Sequence, residues 1–135
     1  MDLKNSVDVS ASGLRAQSLR MRIIAENLAN ADSVATTPGG EPYRRRVATF
    51  EAEVDRATGA QGVRIRSIEG DDSAFQRVYQ PGSPAADAAG YVLKPNVNGL
   101  VESADMKAAQ RAYEANLSAI EAAKGLTMRT IDLLK

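Results

Sequence analysis

The sequence predicts an α+β fold in which long N- and C-terminal helices pair as a coiled coil, with a small loop-rich β module between them. Apolar residues recur every seven positions near both ends of the chain, whereas the middle has proline, glycine and short alternating runs. A seven-residue repeat is typical of helices that pack on one another, and alternation is typical of strands. We therefore divide the chain into an N-terminal helix over 1–32, a β module over 33–95 and a C-terminal helix over 96–135.

The N-terminal helix is predicted by an apolar seam at seven-residue spacing, which consists of Val7, Leu14, Met21 and Leu28. Asn5 or Ser6 is the expected N-cap. Gly13 lies inside the pattern, where it marks either the close approach of another backbone or a tolerated defect. A second row on the same helix includes Ala16 and Ile23, so this helix has two faces to bury.

The middle segment is predicted to form short strands. Residues 43–54 have the β-branched and aromatic content of a strand, and residues 63–66 alternate apolar and charged side chains. Residues 76–79 and 91–93 form two further short runs. Proline and glycine clusters between these runs predict turns, because both residues interrupt regular structure.

The C-terminal helix is expected to begin at Asn96 or Asn98 and to end near Lys135, a length of roughly 57 Å at 1.5 Å per residue. Its predicted pairing seam contains the larger side chains, which are Met106, Tyr113, Leu117, Ile120, Ile131 and Leu134. Its opposite face is a row of small residues that includes Ala108, Ala112, Ala115 and Ala119. A helix that is apolar on two sides needs more than one neighbour. We therefore assign the seams to helix pairing and the second faces to contacts between subunits.

Polar residues near the seams have two possible roles. Asn27, Asn30 and Asn116 either cap a helix or face solvent, or they fix the register by pairing across helices. The run Arg44–Arg46 is compatible with a phosphate site, with a charge that guards an exposed strand edge, or with docking to an acidic neighbour. We predict that all six residues contact other subunits.

Composition excludes several classes of function. Basic and acidic residues number 17 each, so nothing favours nucleic acid or an anionic membrane as a partner. Histidine and cysteine are absent, which removes the Ser-His-Asp and Cys-His systems and the usual zinc sites, and we expect neither metal nor cofactor. No apolar stretch approaches the length of a membrane span. The first residues lack the pattern of a cleaved signal peptide, so composition alone predicts a cytoplasmic protein.

Carboxylates provide the remaining route to catalysis. Glu51, Glu53 and Asp55 alternate along a predicted strand and therefore share one face. A pair of carboxylates can hydrolyse a glycosidic bond, so one alternative function is a cell-wall hydrolase that uses Glu51 and Glu53. The simpler interpretation is a solvated strand face. A generic coiled-coil adaptor is a further alternative.

The two ends of the chain resemble the bacterial flagellar axial proteins, the family that includes the rod and hook proteins. The resemblance rests on residues 10–17 and 25–31 at the N-terminus, and on residues 96–98, 102, 105–106 and 109–116 at the C-terminus. The loops 35–40 and 81–87 and the ending 129–134 resemble more narrowly the proteins of the proximal rod. Ser33 departs from the family pattern, which usually has threonine there.

The resemblance implies a structural role without catalysis. In this family the terminal helices pair into an inner tube around the export channel, and the middle segment contacts adjacent subunits. Family members leave the cell through the flagellar type III export apparatus without a cleaved signal. The resemblance therefore implies that the protein is located in the basal body, across the periplasm, and not in the cytoplasm. The implied partners are copies of the chain, other rod proteins, the basal-body base and the rod-capping muramidase. No membrane insertion is implied.

Overall fold

A computed structural model describes residues 2–135 and contains two long helices and four strands. In chain order the elements are α1 (Leu3–Ala29), β1 (Arg46–Val54), β2 (Gln61–Gly70), β3 (Gln76–Tyr79), β4 (Tyr91–Lys94) and α2 (Gly99–Leu133). The strands form two separate two-stranded sheets, β1–β2 and β3–β4. The predicted α+β class is confirmed. Met1, the first residue of the predicted segment 1–32, lies outside the described residues.

The helix starts are set by short polar side chains. Helix α1 begins before the predicted position, because Oδ1 of Asp2 accepts a hydrogen bond from the backbone N of Lys4 at 3.3 Å. The N-cap prediction of Asn5 or Ser6 was therefore wrong. At α2, Oδ1 of Asn98 accepts the backbone N of Leu100 at 3.0 Å, so the start predicted there is confirmed.

The chain divides into two compact units, the first built from three separate stretches and the second from two. The first unit contains the chain up to Met21, Ala48–Ser67 and Lys107–Lys135. The second unit contains Arg22–Val47 and Ile68–Met106. Each of the three segments predicted from sequence contributes residues to both units, so neither unit can form from one segment alone.

The first unit packs α1 against α2 through small residues. A Cβ atom added at Gly13 would lie 2.6 Å from Nδ2 of Asn116, so glycine permits the close approach of that side chain. The fully buried residues of this unit are Ser12, Gly13, Ala16, Ala109 and Ala123. None of them is large, so every large apolar side chain of this unit is at least partly exposed.

The hairpin in the first unit is tied to α1 by a polar contact. The loop between β1 and β2 closes with a hydrogen bond from the N of Asp55 to the O of Ala60, at 2.9 Å. Oγ of Ser12 then accepts the backbone N of Val63 on β2, at 3.0 Å. The guanidinium of Arg20 lies 5.9 Å from the centre of the Phe50 ring. These contacts hold the hairpin on α1 at Ser12 and at Arg20.

The second unit has a core of larger side chains. Strands β3 and β4 pair antiparallel, with Gln76 opposite Lys94 and Tyr79 opposite Tyr91. The buried apolar residues of the unit are Ile23, Ile24, Pro42, Ala85, Val92, Pro95 and Val97. This unit therefore fully buries large apolar side chains, which the first unit does not.

Candidate functional site

The centre of the second unit is a carboxylate that is completely withdrawn from solvent. Glu102 lies in the first turn of α2 and is 0% exposed. Its Oε1 forms an ion pair with Nε of Arg45, and its Oε2 accepts a hydrogen bond from Nδ2 of Asn27 at 3.4 Å. Burial of an ionised carboxylate is very unfavourable unless it is paired, so Glu102 depends on both partners.

Arg45 is the hub of this network. Besides Glu102 it contacts Oδ2 of Asp71 at 3.0 Å and Oδ2 of Asp105 at 3.5 Å. Burial alone would lower the pKa of Arg45, but hydrogen bonds to Glu102 and Asp71 outweigh burial and raise it. Its backbone N donates to Oδ1 of Asn96 at 2.7 Å. Arg45 therefore stays a cation and joins three separate stretches of chain.

Asn27 uses both ends of its amide. Its Nδ2 donates to the backbone O of Arg46 at 2.8 Å, and its Oδ1 accepts the backbone N of Arg46 at 3.0 Å. The same Oδ1 accepts the hydroxyl of Tyr43 at 2.7 Å. Burial is the main reason that the pKa of Tyr43 is raised. The end of α1 is therefore fixed against the segment that leads into β1.

The end of β2 and the loop that follows it, residues 69–73, which we call the acidic turn, are held by the same network. Nη1 of Arg44 donates to the backbone O of Asp71 at 2.7 Å, and Nδ2 of Asn96 donates to the same oxygen at 3.0 Å. The Arg44 guanidinium also lies 4.3 Å from the centre of the Phe75 ring. Inside the turn, Oδ1 of Asp71 accepts the backbone N of Ser73 at 2.8 Å. The backbone of the turn is therefore held on several sides.

Acid is expected to weaken the fold through Asp71. Its pKa is lowered, first by the backbone amide of Ser73 and also by Arg45. Backbone amides likewise lower the pKa values of Asp55 and Asp87. A carboxyl whose folded pKa is depressed stabilises the fold above its unfolded pKa, and this contribution is lost as pH falls through the folded pKa. Stability should therefore be insensitive to these groups near neutrality and should fall below about pH 4.

Urea unfolding at several pH values tests this expectation. Asp71→Asn should be less stable than the parent chain at neutral pH, and the difference should shrink as pH falls below about 4. Asp72→Asn is the matched control, because Asp72 is adjacent, exposed and without an ion pair in the described residues. A constant difference between Asp71→Asn and the parent across the acid range would contradict the assignment.

The predicted pairing seam is only partly covered by the chain itself. Seven of its members are half-buried: Val7, Leu14, Met21, Leu28, Met106, Tyr113 and Ile120. The other three are exposed: Leu117, Ile131 and Leu134. One chain alone does not cover these three side chains, so their pairing role stays a prediction about an assembled state.

The predicted subunit-contact residues fall into three groups. Those buried within the chain are Ala16, Ile23 and Asn27. Those half-buried are Asn30, Arg44, Arg45, Ala112 and Asn116, and those exposed are Arg46, Ala108, Ala115 and Ala119. Burial leaves the first group little surface for a neighbour, whereas the exposed alanines are free to approach one. The intersubunit role of the whole set stays a prediction.

The asparagines and arginines make contacts that sequence spacing did not specify. Asn27 bonds across to α2, whereas the Nδ2 atoms of Asn30 and Asn116 donate to carbonyls one turn back, on Glu26 and Ala112. Arg44 and Arg45 bind the acidic turn and Glu102, and Arg46 pairs with Glu26 at 3.2 Å. All three arginines are therefore engaged within their own chain.

The second half of α2 exposes six large apolar side chains. The side chains concerned are Leu117, Leu126, Met128, Ile131, Leu133 and Leu134, of which Leu133 is 86% exposed. Beside them, a groove of about 600 Å³ is lined mainly by Leu3, Val7, Ile120 and Met128. Large apolar side chains exposed on a helix in this number favour an interaction site.

Two of the three carboxylates considered for catalysis, Glu51 and Asp55, take part in structural contacts. Oε1 of Glu51 pairs with Arg64 at 2.5 Å. The backbone amide of Ala57 lowers the pKa of Asp55, whereas a general acid needs a raised pKa. Across residues 2–135 no cluster of acidic side chains is suited to a metal ion. Neither described helix is long and apolar enough to cross a membrane.

Sequence reasoning missed the buried network because its members are far apart in the chain. One signal was available, however: Glu102, Ala109, Asn116 and Ala123 repeat every seven residues. Three of these four are fully buried and the fourth is half-buried, so this register is the most enclosed stripe of α2. Small and polar residues at heptad spacing were a better guide here than large apolar ones.

Comparison with known proteins gives consistent matches across the chain. The family model "Flagella basal body rod protein" matches residues 8–35, and the model "Flagellar basal body rod FlgEFG protein C-terminal" matches residues 88–133. The chain is similar to the flagellar basal-body rod protein FlgC of Agrobacterium fabrum, with 48% identity over 94% of this chain and 91% of the relative. Similarity to FlgC of Salmonella typhimurium is 39% over 98% of both chains, and to FlgC of Bacillus subtilis 38% over 97% of both.

Proposed function

Because the chain belongs to the family of flagellar basal-body rod proteins FlgC, we propose that it is a proximal-rod subunit whose terminal helices polymerise into a tube around the export channel. The chain is a structural subunit of the basal-body rod, and it assembles with other rod and basal-body components. Neither a hydrolase nor a generic adaptor is supported by these relatives. Our proposal adds to this that the subunits form a tube and that the tube surrounds the export channel.

One observation supports the tube more than any other, which is the contrast between the two units. The first unit fully buries only small residues, yet it exposes six large apolar side chains between Leu117 and Leu134. Each of these would contribute about 1.5–3 kcal/mol on full burial. The first unit therefore has much to gain from neighbours, as expected of a subunit that is stable mainly within a polymer.

The second unit supports a different part of the proposal. Its buried network joins the end of α1 to the start of α2 without needing another chain. We assign this network to the shape of the subunit, and the outward alanines Ala108, Ala115 and Ala119 to close packing between subunits. Small side chains permit close approach of helices. On this scheme the N- and C-terminal helices form the inner tube, and the β module between them makes the lateral contacts.

The remaining elements of the proposal concern partners and location. We propose export through the flagellar type III apparatus without a cleaved signal, a position across the periplasm, and contact with the basal-body base and the rod-capping muramidase. We also propose that the chain has no catalytic activity. The use of Glu51 and Asp55 for ion pairing and turn formation supports that last point.

The test is a double substitution that introduces charge among the exposed apolar side chains of α2 and leaves the second unit unchanged. The double variant Leu133→Asp/Leu134→Asp should abolish motility in a strain that lacks this gene, because a buried charge without a partner is strongly unfavourable. The variant should be absent from purified basal bodies, although the chain is made. Ala88→Asp is the matched control, since Ala88 lies in an exposed loop and should tolerate the charge. Normal motility of the double variant would contradict the helical tube.

A further inference from the structure

The two units carry opposite charge although the whole chain is neutral. The first unit contains eleven basic and eight acidic side chains, a difference of +3, and the second contains six basic and nine acidic, a difference of −3. Charge asymmetry of this kind influences which surfaces of two molecules approach one another.

The basic side chains of the second unit are already engaged. Five of its six basic residues form ion pairs inside the unit, namely Arg22 and Arg46 with Glu26, Arg45 with Glu102 and Asp71, Arg77 with Asp87, and Lys94 with Asp32. The sixth, Arg44, is held over Phe75 and on the carbonyl of Asp71. Among the described residues, Glu41, Glu69 and Asp72 are exposed carboxylates of this unit without an ion pair.

Two of these carboxylates lie on the acidic turn. The backbone N of Asp71 donates to the O of Arg45 at 2.7 Å, in addition to the clamps from Arg44 and Asn96. A Cβ atom at Gly70 would lie 2.9 Å from Cδ of Arg44, which shows how closely that side chain underlies the turn. Glu69 and Asp72 are thus exposed on a fixed backbone, so little conformational entropy is lost if they bind a partner.

The first unit offers a matching basic pair. Lys107 and Arg111 are one turn apart on α2, both are exposed, and neither has an ion pair in residues 2–135. Residues four apart on a helix lie on the same face. No other two basic residues in either helix have this spacing.

We propose that the acidic turn of one copy docks on the Lys107–Arg111 pair of a second copy, through Glu69 and Asp72. The occupant is a second copy because the chain itself carries both complementary surfaces. A contact between two different surfaces of the same chain can repeat from copy to copy, as a ring or a helical assembly requires. This inference rests on the proposed rod function and adds the contact that orients the subunits.

The charged side chains determine the orientation in which two copies meet more than the affinity between them. Exposed ion pairs contribute only about 0–1 kcal/mol each, so the affinity must come from the apolar surface of α2. Charge complementarity instead speeds the encounter and disfavours wrong orientations. Arg44 and Arg45 thus act indirectly, because they hold the acidic turn in place.

Cross-linking between isotopically light and heavy copies of the chain tests the contact directly. Equal amounts of light and heavy-nitrogen copies of the full chain are mixed, and amines are coupled to carboxyls by a carbodiimide. We expect coupled peptides that join Lys107 to Glu69 or Asp72 and that contain one light and one heavy partner. Mixed peptides elsewhere in the chain without these two would overturn the proposed contact but leave self-assembly intact. No mixed peptides at all would contradict self-assembly as well.

Charge exchange provides a second test. Lys107→Glu/Arg111→Glu and Glu69→Lys/Asp72→Lys should each slow self-association at low salt on the order of tenfold or more, and mixing the two variants should restore association. Ser118→Glu/Glu121→Lys is a control on exposed positions of the same helix and should behave as the parent. Association of the mixture that is no faster than that of either variant alone would overturn the proposal.

Discussion

Glu102→Ala is expected to destabilise the chain by about 3–5 kcal/mol, the usual effect of removing one partner of a buried ion pair. Arg45 would lose its closest carboxylate while its side chain stays largely enclosed, and Nδ2 of Asn27 would lose one of its two acceptors. Asp71 and Asp105 still face Arg45, so we expect the lower end of that range. Because whole domains are stable by only about 5–15 kcal/mol, urea unfolding should show a large shift of the midpoint.

The controls separate a lost charge pair from general helix effects. Glu121→Ala changes an exposed glutamate on the same helix, where no ion pair exists among the described residues, and should shift stability by less than about 0.5 kcal/mol. The double variant Arg45→Met/Glu102→Leu should be more stable than Glu102→Ala alone, because no unpaired charge stays buried. Equal unfolding midpoints for Glu102→Ala and Glu121→Ala would contradict the role assigned to Glu102.

Asn27→Leu is expected to have the next largest effect, because leucine has a similar size but no polar atoms. The change would leave the N and O of Arg46 and the hydroxyl of Tyr43 without their partner on α1. An unsatisfied buried polar group costs about 1–3 kcal/mol. Partial access of Tyr43 to water reduces its share, so we expect a total loss of about 2–4 kcal/mol.

The contribution of Tyr43 can be isolated by a double-mutant cycle. Tyr43→Phe should destabilise the parent chain but should have almost no effect when Asn27 is already leucine, because the shared hydrogen bond has gone. Asn30→Leu is the matched control, since the side chain of Asn30, just after α1, bonds to the carbonyl of Glu26 and to Ser33. If the effects of Asn27→Leu and Tyr43→Phe add fully, the two side chains are not coupled.

Local pattern predicted the elements well, because each depends on residues that are near in sequence. Strand β3 has the predicted limits, and Asn98 begins α2 as expected, since alternation and capping are short-range signals. Strand β1 begins at Arg46 and not at Tyr43, because the preceding segment is used by the buried network. The prediction failed where a tertiary contact replaced a local preference.

The buried network could not be predicted from spacing. Arg45 and Glu102 are 57 residues apart, and Asn27 and Glu102 are 75 apart. The run Arg44–Arg46 suggested an acidic neighbour, yet Arg45 reaches Asp71, Asp105 and Glu102 of its own chain. Arg46 likewise pairs with Glu26 of the same chain. The charge of a segment indicates the chemistry of its partner but does not indicate which chain supplies it.

The long separation between these partners has a consequence for the order in which the chain can fold. A chain that emerges N-terminus first exposes Asn27 and Arg45 long before Glu102 arrives, so the second unit cannot close until more than three quarters of the sequence is available. Contacts of such high sequence separation also slow folding, because the intervening loop must be closed first. The carboxylate that fixes the subunit is therefore among the last groups of the second unit to become available, so the network closes late in folding.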